Sequence, residues 1–226
     1  MLTFGIVIAG IAAVLLAAVF ARVNGYSSPQ GKLLSKGLAS LAFVVLGLLC
    51  AAKAGGSAYA VLAVLALAAG AAGDTLLQLS ECRRDWRDGL FMAGLIAFLL
   101  GHVLYIAAFM TAVRTTFWQF GAAAVMFAVL YALQFPAKIR LGNMKGPVYA
   151  YAAVITLMAA YAFSCATHGS AAMAALVVPA GAMFLVSDAV LAEMLYGPKR
   201  TGRMEILNLV TYYGAQILLA FSILTA

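Results

Sequence analysis

Long apolar runs are the feature that most restricts how this chain can fold. Of its 226 residues, 66% are hydrophobic and only 9% are charged, whereas an ordinary soluble domain carries about a quarter charged residues. A helix of about 20 apolar residues crosses the hydrocarbon core of a bilayer and satisfies its own backbone hydrogen bonds there. The sequence therefore predicts an all-α, polytopic membrane bundle.

Eight segments have this length and composition. They are residues 3–22, 33–52, 57–79, 89–111, 116–135, 146–167, 170–195 and 205–225. The connections between them are short, which predicts a single transmembrane domain over residues 1–226. The first segment has no lysine or arginine before it, so we expect a retained helix and not a cleaved signal peptide.

The lysines and arginines are distributed unevenly over the connections. Twelve of the 14 fall in the first, third, fifth and seventh connections, and only Lys53 and Arg114 fall in the others. Such residues accumulate in cytoplasmic loops, so both termini are predicted on the non-cytoplasmic side, with the bacterial inner membrane as the expected location. Because the basic residues are scattered over short loops, we expect no nucleic-acid partner.

The cysteines and histidines argue against two other kinds of site. Cys50, Cys82 and Cys165 form no CxxC pair and lie in or beside different apolar segments, which predicts neither a disulfide framework nor a zinc site. His102 lies in the fourth predicted span, whereas His168 lies in an outer loop. We therefore expect no metal and no cofactor.

Two acidic residues lie inside predicted spans, Asp74 in the third and Asp188 in the seventh. At a rise of about 1.5 Å per residue, Asp74 is expected about 8 Å and Asp188 about 12 Å from the inner ends of their helices. An ionised aspartate in hydrocarbon costs about 2.5–3.5 kcal/mol, so such residues face the bundle interior and usually mark a functional site. The alternative is that each acid only bridges two helices through hydrogen bonds.

Further polar and aromatic residues recur at helical spacing near these acids. Spacings of three and four residues place side chains on one helix face, and such stripes occur in the fourth and eighth spans. The residues expected around the acids are Gln78, His102, Tyr105, Asn208, Tyr212 and Gln216. Gly94 and Gly101 predict the close approach of another helix.

The sequence defines the roles of Lys36, His102 and Tyr151 less closely than those of the acids, and Lys36 has two interpretations. Lys36 is equally consistent with a counter-ion for an inner-leaflet acid and with a side chain that extends to lipid phosphate. If Lys36 or nearby loop bases bind phosphate, Lys36→Met should raise KM more than it lowers kcat. His102 is interpreted first as a helix-bridging residue, and Tyr151 as a packing or interface residue.

A pair of carboxylates in a secluded cavity suits acid-catalysed cleavage. Each acid disfavours ionisation of the other, so one can remain protonated while its partner is ionised, as in glycoside hydrolysis. In a membrane, this chemistry fits a lipid with a vinyl ether, whose protonation at the β-carbon gives an oxocarbenium ion. The sequence has no GxSxG motif, and no histidine lies near Ser187 along the chain to activate it.

Five segments, in this order on eight apolar helices, resemble the YhhN-like lysoplasmalogenase family. They are GDTLLQLS, FMAGLIAFLLGHVLYIAAF, GPVYAYAAVITLM, GAMFLVSDAVLAEMLY and LVTYYGAQILLAFS. The resemblance implies hydrolysis of the vinyl ether bond of lysoplasmalogens, giving a fatty aldehyde and glycerophosphoethanolamine or glycerophosphocholine. It marks Asp74 and Asp188 as the catalytic acids, with Tyr213 among the residues around them. Where the family pattern has Lys-Pro, this chain has Lys36 and Gly37, which predicts a looser start of the second helix.

Two other functions fit the same residues. A proton-coupled transporter or permease would use the acids as protonation sites, and a non-catalytic protein would use them as structural bridges while it binds lipid. The expected partners are a lysophospholipid substrate and the surrounding membrane lipids. The sequence does not specify an oligomeric state.

Overall fold

The computed structural model describes residues 2–23 and 28–226. Within these residues the chain forms eight α-helices and three short 3₁₀ turns, without any β-strand. The helices are α1 (Leu2–Val23), α2 (Pro29–Ala54), α3 (Ala58–Cys82), α4 (Arg87–Ala112), α5 (Phe117–Leu133), α6 (Lys145–His168), α7 (Ala171–Tyr196) and α8 (Gly202–Ser222). The predicted all-α fold is confirmed.

Seven helices of the described chain are long and apolar enough to cross a membrane. The other helix, α5, has 17 residues, which corresponds to about 26 Å and lies at the lower limit for a span. It is three residues shorter than the predicted segment 116–135. Large apolar side chains such as Phe4, Leu41 and Phe120 are exposed, as expected for surfaces that face lipid. The protein is therefore a polytopic helical membrane protein.

The second helix begins earlier than predicted. Ser28 caps its N-terminus by accepting a hydrogen bond from the Gly31 amide, and Pro29 occupies the first turn, where its missing N–H costs nothing. The helix then continues without interruption through Gly37. The expectation of a looser start was wrong. Pro29 stabilises the first turn of α2, which is the role that a proline directly after Lys36 was expected to have.

Helices α3 and α4 approach each other closely, as Gly94 and Gly101 predicted. A Cβ atom at Gly101 would lie 3.3 Å from the Ala66 carbonyl oxygen, and one at Gly94 would lie 2.9 Å from Leu77 Cγ. Helix α8 packs against α1, α2, α3 and α7, whereas α5 packs against α6 at the periphery. The polar residues of α3, α4 and α8 are therefore directed into one interior.

Candidate active site

The two intramembrane acids lie at matching depths. Each is eight residues before the end of its helix, which is Cys82 for Asp74 and Tyr196 for Asp188. This corresponds to about 12 Å for both. The predicted 8 Å for Asp74 was too small, because α3 extends three residues beyond the predicted boundary.

Asp74 is buried in an environment that stabilises its ionised form. Its side chain is 3% exposed, and its Oδ1 atom lies 3.1 Å from Lys36 Nζ. The Ser40 hydroxyl donates a 2.6 Å hydrogen bond to Oδ2. An ammonium group and a hydroxyl donor both favour the carboxylate over the neutral acid. Of the two interpretations of Lys36, the structure shows the counter-ion.

Asp188 is also inside the bundle, but its partners are different. The Tyr151 hydroxyl on α6 donates a 2.9 Å hydrogen bond to Asp188 Oδ2, and His102 Nε2 on α4 lies 3.3 Å from the same oxygen. The Asp188 side chain is 13% exposed. Among the described residues it has no lysine or arginine partner. The two acids therefore differ in their electrostatic surroundings.

His102 bridges three helices through Tyr151. Its Nε2 atom lies 3.0 Å from the Tyr151 hydroxyl, and because that hydroxyl donates to Asp188, its oxygen accepts from Nε2–H. The buried Nδ1 atom has no hydrogen-bond partner among the described residues, so an N–H at that position would lack an acceptor. The geometry assigns the tautomer with the proton on Nε2.

Both aspartates line one small cavity. It measures about 50 Å³, and its wall combines residues of α2, α3, α4, α7 and α8. The lining residues include Lys36, Asp74, Phe98, Ser187, Asp188, Asn208 and Tyr212. The side chains of Asp74 and Asp188 thus converge on a shared interior space, which we name the carboxylate cavity.

Three of the predicted supporting residues form a buried chain behind this cavity. The Tyr105 hydroxyl donates to Gln216 Oε1 at 2.8 Å, and Gln216 Nε2 donates to the Tyr212 hydroxyl at 3.1 Å. Tyr213 is buried beside them, and its hydroxyl lies 3.5 Å from Ser40 Oγ. Of these four residues, Tyr212 reaches the wall of the carboxylate cavity, so the others are placed to hold that wall in position.

The remaining predicted residues lie near helix ends, Gln78 in the last two turns of α3 and Asn208 in the first two turns of α8. Asn208 lines the carboxylate cavity and donates from Nδ2 to the Ser187 carbonyl oxygen at 2.9 Å, which joins α8 to α7 beside Asp188. Gln78 donates from Nε2 to Glu81 Oε2 at 2.9 Å. The observed hydrogen-bond partner of Gln78 is therefore Glu81 at the end of α3, and not Asp74.

Sequence reasoning missed two polar contacts of the acids. Tyr151 was interpreted as a packing or interface residue, and it does pack against the core, but the interpretation did not include the contact of its hydroxyl with Asp188. Ser40, which contacts Asp74, was not among the predicted site residues. The sequence did indicate Ser40 as a site residue, because Lys36 and Ser40 are four residues apart and share a helix face. Tyr151 lacked a comparable signal, because tyrosines are also common as membrane-interface anchors.

Asp188 lines two apolar grooves as well as the carboxylate cavity. A groove of about 350 Å³ lies among α5, α6 and α7, and another of about 150 Å³ lies among α4, α6 and α7. Asp188 and Tyr151 line both grooves. An acid at the junction of apolar grooves and a polar interior is suited to an amphipathic molecule. Within the described residues, no group of three or more His, Cys, Asp or Glu is placed to hold a metal ion.

The fold and the site together define a polytopic α-helical membrane protein with two acids on one interior cavity. The family model of the YhhN family matches residues 31–223, which is most of the chain. The chain belongs to this family. No curated protein and no solved structure matches it.

Proposed function

We propose that the protein is a membrane-embedded hydrolase that cleaves the vinyl ether bond of lysoplasmalogens, with lysoplasmenylethanolamine and lysoplasmenylcholine as substrates. Membership of the YhhN family is consistent with a hydrolase. The observation that carries the proposal is the carboxylate cavity, where two acids with different partners face the same space. Acid-catalysed cleavage needs such a difference, because one group must hold a proton while the other is ionised.

In this proposal Asp188 is the general acid and Asp74 is the ionised partner. Lys36 and Ser40 stabilise the negative charge on Asp74. Asp188 lacks a lysine or arginine partner among the described residues, and for this reason we assign the role of proton donor to it. Since Oδ2 of Asp188 accepts from Tyr151, the transferable proton is assigned to Oδ1.

The reaction consumes one water and regenerates both acids. Asp188 transfers its proton to the β-carbon of the vinyl ether, which leaves an oxocarbenium ion next to the Asp74 carboxylate. Asp74 then accepts a proton from the attacking water as the hemiacetal forms. When the hemiacetal collapses, Asp74 protonates the departing glycerol oxygen and Asp188 takes the hydroxyl proton. The products are a fatty aldehyde and a glycerophospho-alcohol.

The cavities around Asp188 support a single-chain lipid as the substrate. The alkenyl chain would lie in the larger apolar groove, whose wall includes Leu130, Ile155 and Leu185 together with Asp188. The polar part of the lipid would lie on the other side of the acids. In this arrangement the bond between chain and glycerol would lie at the carboxylates, and the substrate would reach the acids from the bilayer.

An assay for aldehyde release tests the proposal. Purified protein in detergent or nanodiscs is incubated with a vinyl-ether lysolipid, and with its saturated-ether analogue as the control substrate. We expect aldehyde from the vinyl ether alone, and its loss in Asp74→Asn and in Asp188→Asn. Asp88→Asn is the matched control variant, because Asp88 is an exposed acid in the first turn of α4. Absence of aldehyde with the folded wild-type protein would refute the proposal, and proton-coupled transport in proteoliposomes would favour the permease.

A further inference from the structure

We propose that a polar vestibule beside the carboxylate cavity binds a zwitterionic phosphate headgroup, through Lys32 and Arg87 for the phosphate and Glu81 for the ammonium. This inference rests on the proposed function and extends it to the headgroup. The vestibule is a space of about 190 Å³ formed by the C-terminal parts of α1, α3 and α7 and the N-terminal parts of α2, α4 and α8. Its polar lining residues are Lys32, Lys36, Gln78, Ser80, Glu81, Arg87, Arg200, Glu205 and Asn208.

The vestibule is directly continuous with the proposed reaction site. Lys36, Leu77 and Asn208 line both the vestibule and the carboxylate cavity. A glycerol backbone is short, so a lipid whose vinyl ether lies at Asp74 and Asp188 must place its phosphate in an adjoining space. The apolar grooves do not suit a phosphate, because burial of an unpaired charge among apolar side chains is costly.

Two of the four cations in the vestibule already have anionic partners. Lys36 is paired with Asp74 at 3.1 Å, and Arg200 Nε donates to Glu205 Oε1 at 2.8 Å. Lys32 and Arg87 form no ion pair with a described residue. They come from different elements, since Lys32 lies in the first turns of α2 and Arg87 begins α4. Two cations that converge on one space are a suitable phosphate site.

The same vestibule holds a carboxylate that suits an ammonium group. Gln78 Nε2 donates to Glu81 Oε2 at 2.9 Å, which fixes one oxygen of Glu81 and leaves the other for a further partner. Glu81 forms no ion pair with a described residue. A phosphate between Lys32 and Arg87 with an ammonium at Glu81 matches the charges of ethanolamine and choline phospholipids.

The first experiment compares substrates with and without the phosphate. Hydrolysis of a vinyl-ether lysolipid is measured beside hydrolysis of a 1-alkenylglycerol with the same chain, in the wild type and in the Lys32→Gln/Arg87→Gln double variant. We expect the preference for the phosphate-bearing substrate, as a ratio of kcat/KM values, to fall about 10- to 100-fold, because two charge-assisted contacts are lost. Arg203→Gln is the matched control, since Arg203 is exposed in the same basic surface but does not line the vestibule. An unchanged ratio in the double variant would overturn the assignment.

The second experiment measures binding without catalysis. A fluorescent saturated-ether lysolipid is bound to the wild-type protein and displaced with glycerophosphoethanolamine, glycerophosphoglycerol or inorganic phosphate. We expect glycerophosphoethanolamine to displace it best, and Glu81→Gln to abolish its advantage over glycerophosphoglycerol. If inorganic phosphate were equally effective, the site would be a free-anion site and the headgroup assignment would be wrong. Headgroup-dependent binding without any aldehyde release would refute the proposed function and leave this inference standing.

Discussion

Replacement of Lys36 by methionine should lower kcat by disabling Asp74, and not by weakening substrate binding. Lys36 Nζ lies 3.1 Å from Asp74 Oδ1, and the two side chains are 16% and 3% exposed. Methionine removes the charge and keeps a flexible side chain of similar length. Asp74 would then lose its counter-ion inside the bundle and keep only hydroxyl contacts among the described residues, such as the hydrogen bond from Ser40.

The expected magnitude follows from the geometry of this ion pair. Coulomb's law with an effective dielectric constant of about 20 gives an attraction of about 5 kcal/mol at 3.1 Å. Removing one partner of a buried pair typically costs about 3–5 kcal/mol, because the other charge stays buried. Since about 1.4 kcal/mol corresponds to a factor of ten, a loss of this size in the stabilisation of the Asp74 carboxylate corresponds to a factor of at least about 100. We expect kcat to fall by about that factor while KM changes little.

Steady-state kinetics with a vinyl-ether lysolipid measures this effect. Lys53→Met is the matched control, because Lys53 lies at the other end of the same helix and bonds to Thr3 at the surface. Lys36→Arg should retain part of the activity, since it keeps the positive charge. The reasoning would be refuted if Lys36→Met raised KM and left kcat unchanged. That result would identify Lys36 as a phosphate ligand, which is one of the two roles that the sequence had left open.

Two further substitutions test the site and the packing that supports it. Tyr151→Phe removes the hydroxyl that donates to Asp188 at 2.9 Å. Because the carboxylate formed after proton transfer loses this donor, kcat should fall about 10- to 100-fold. A kcat equal to that of the wild type would show that Tyr151 is dispensable for catalysis. Gly94→Ala places a Cβ atom 2.9 Å from Leu77 Cγ, so the thermal unfolding midpoint should fall as expected for about 1–3 kcal/mol of overpacking. Gly89→Ala in the same helix is its control, since nothing lies within 4 Å of the added atom, and equal midpoints for both variants would contradict close packing of α3 and α4.

The sequence predicted the helices well because the bilayer imposes a simple length and composition rule on each of them. The third predicted span, 57–79, became α3 (Ala58–Cys82), and the second, 33–52, became α2 (Pro29–Ala54). The errors lie at the ends, where capping residues such as Ser28 decide the first turn and hydropathy carries no information. The side of the membrane on which the termini lie stays a prediction.

The sequence by itself determined that Asp74 and Asp188 had to face the bundle interior, because the cost of a charge in hydrocarbon applies to each residue separately. Only the tertiary structure decided their partners. Lys36 reaches Asp74 because α2 packs on α3, and Tyr151 reaches Asp188 because α6 packs on α7. Helical periodicity gives the face on which a side chain lies, but not which helix covers that face. The difference between the two acids therefore arises from which side chains the neighbouring helices of the bundle bring against them.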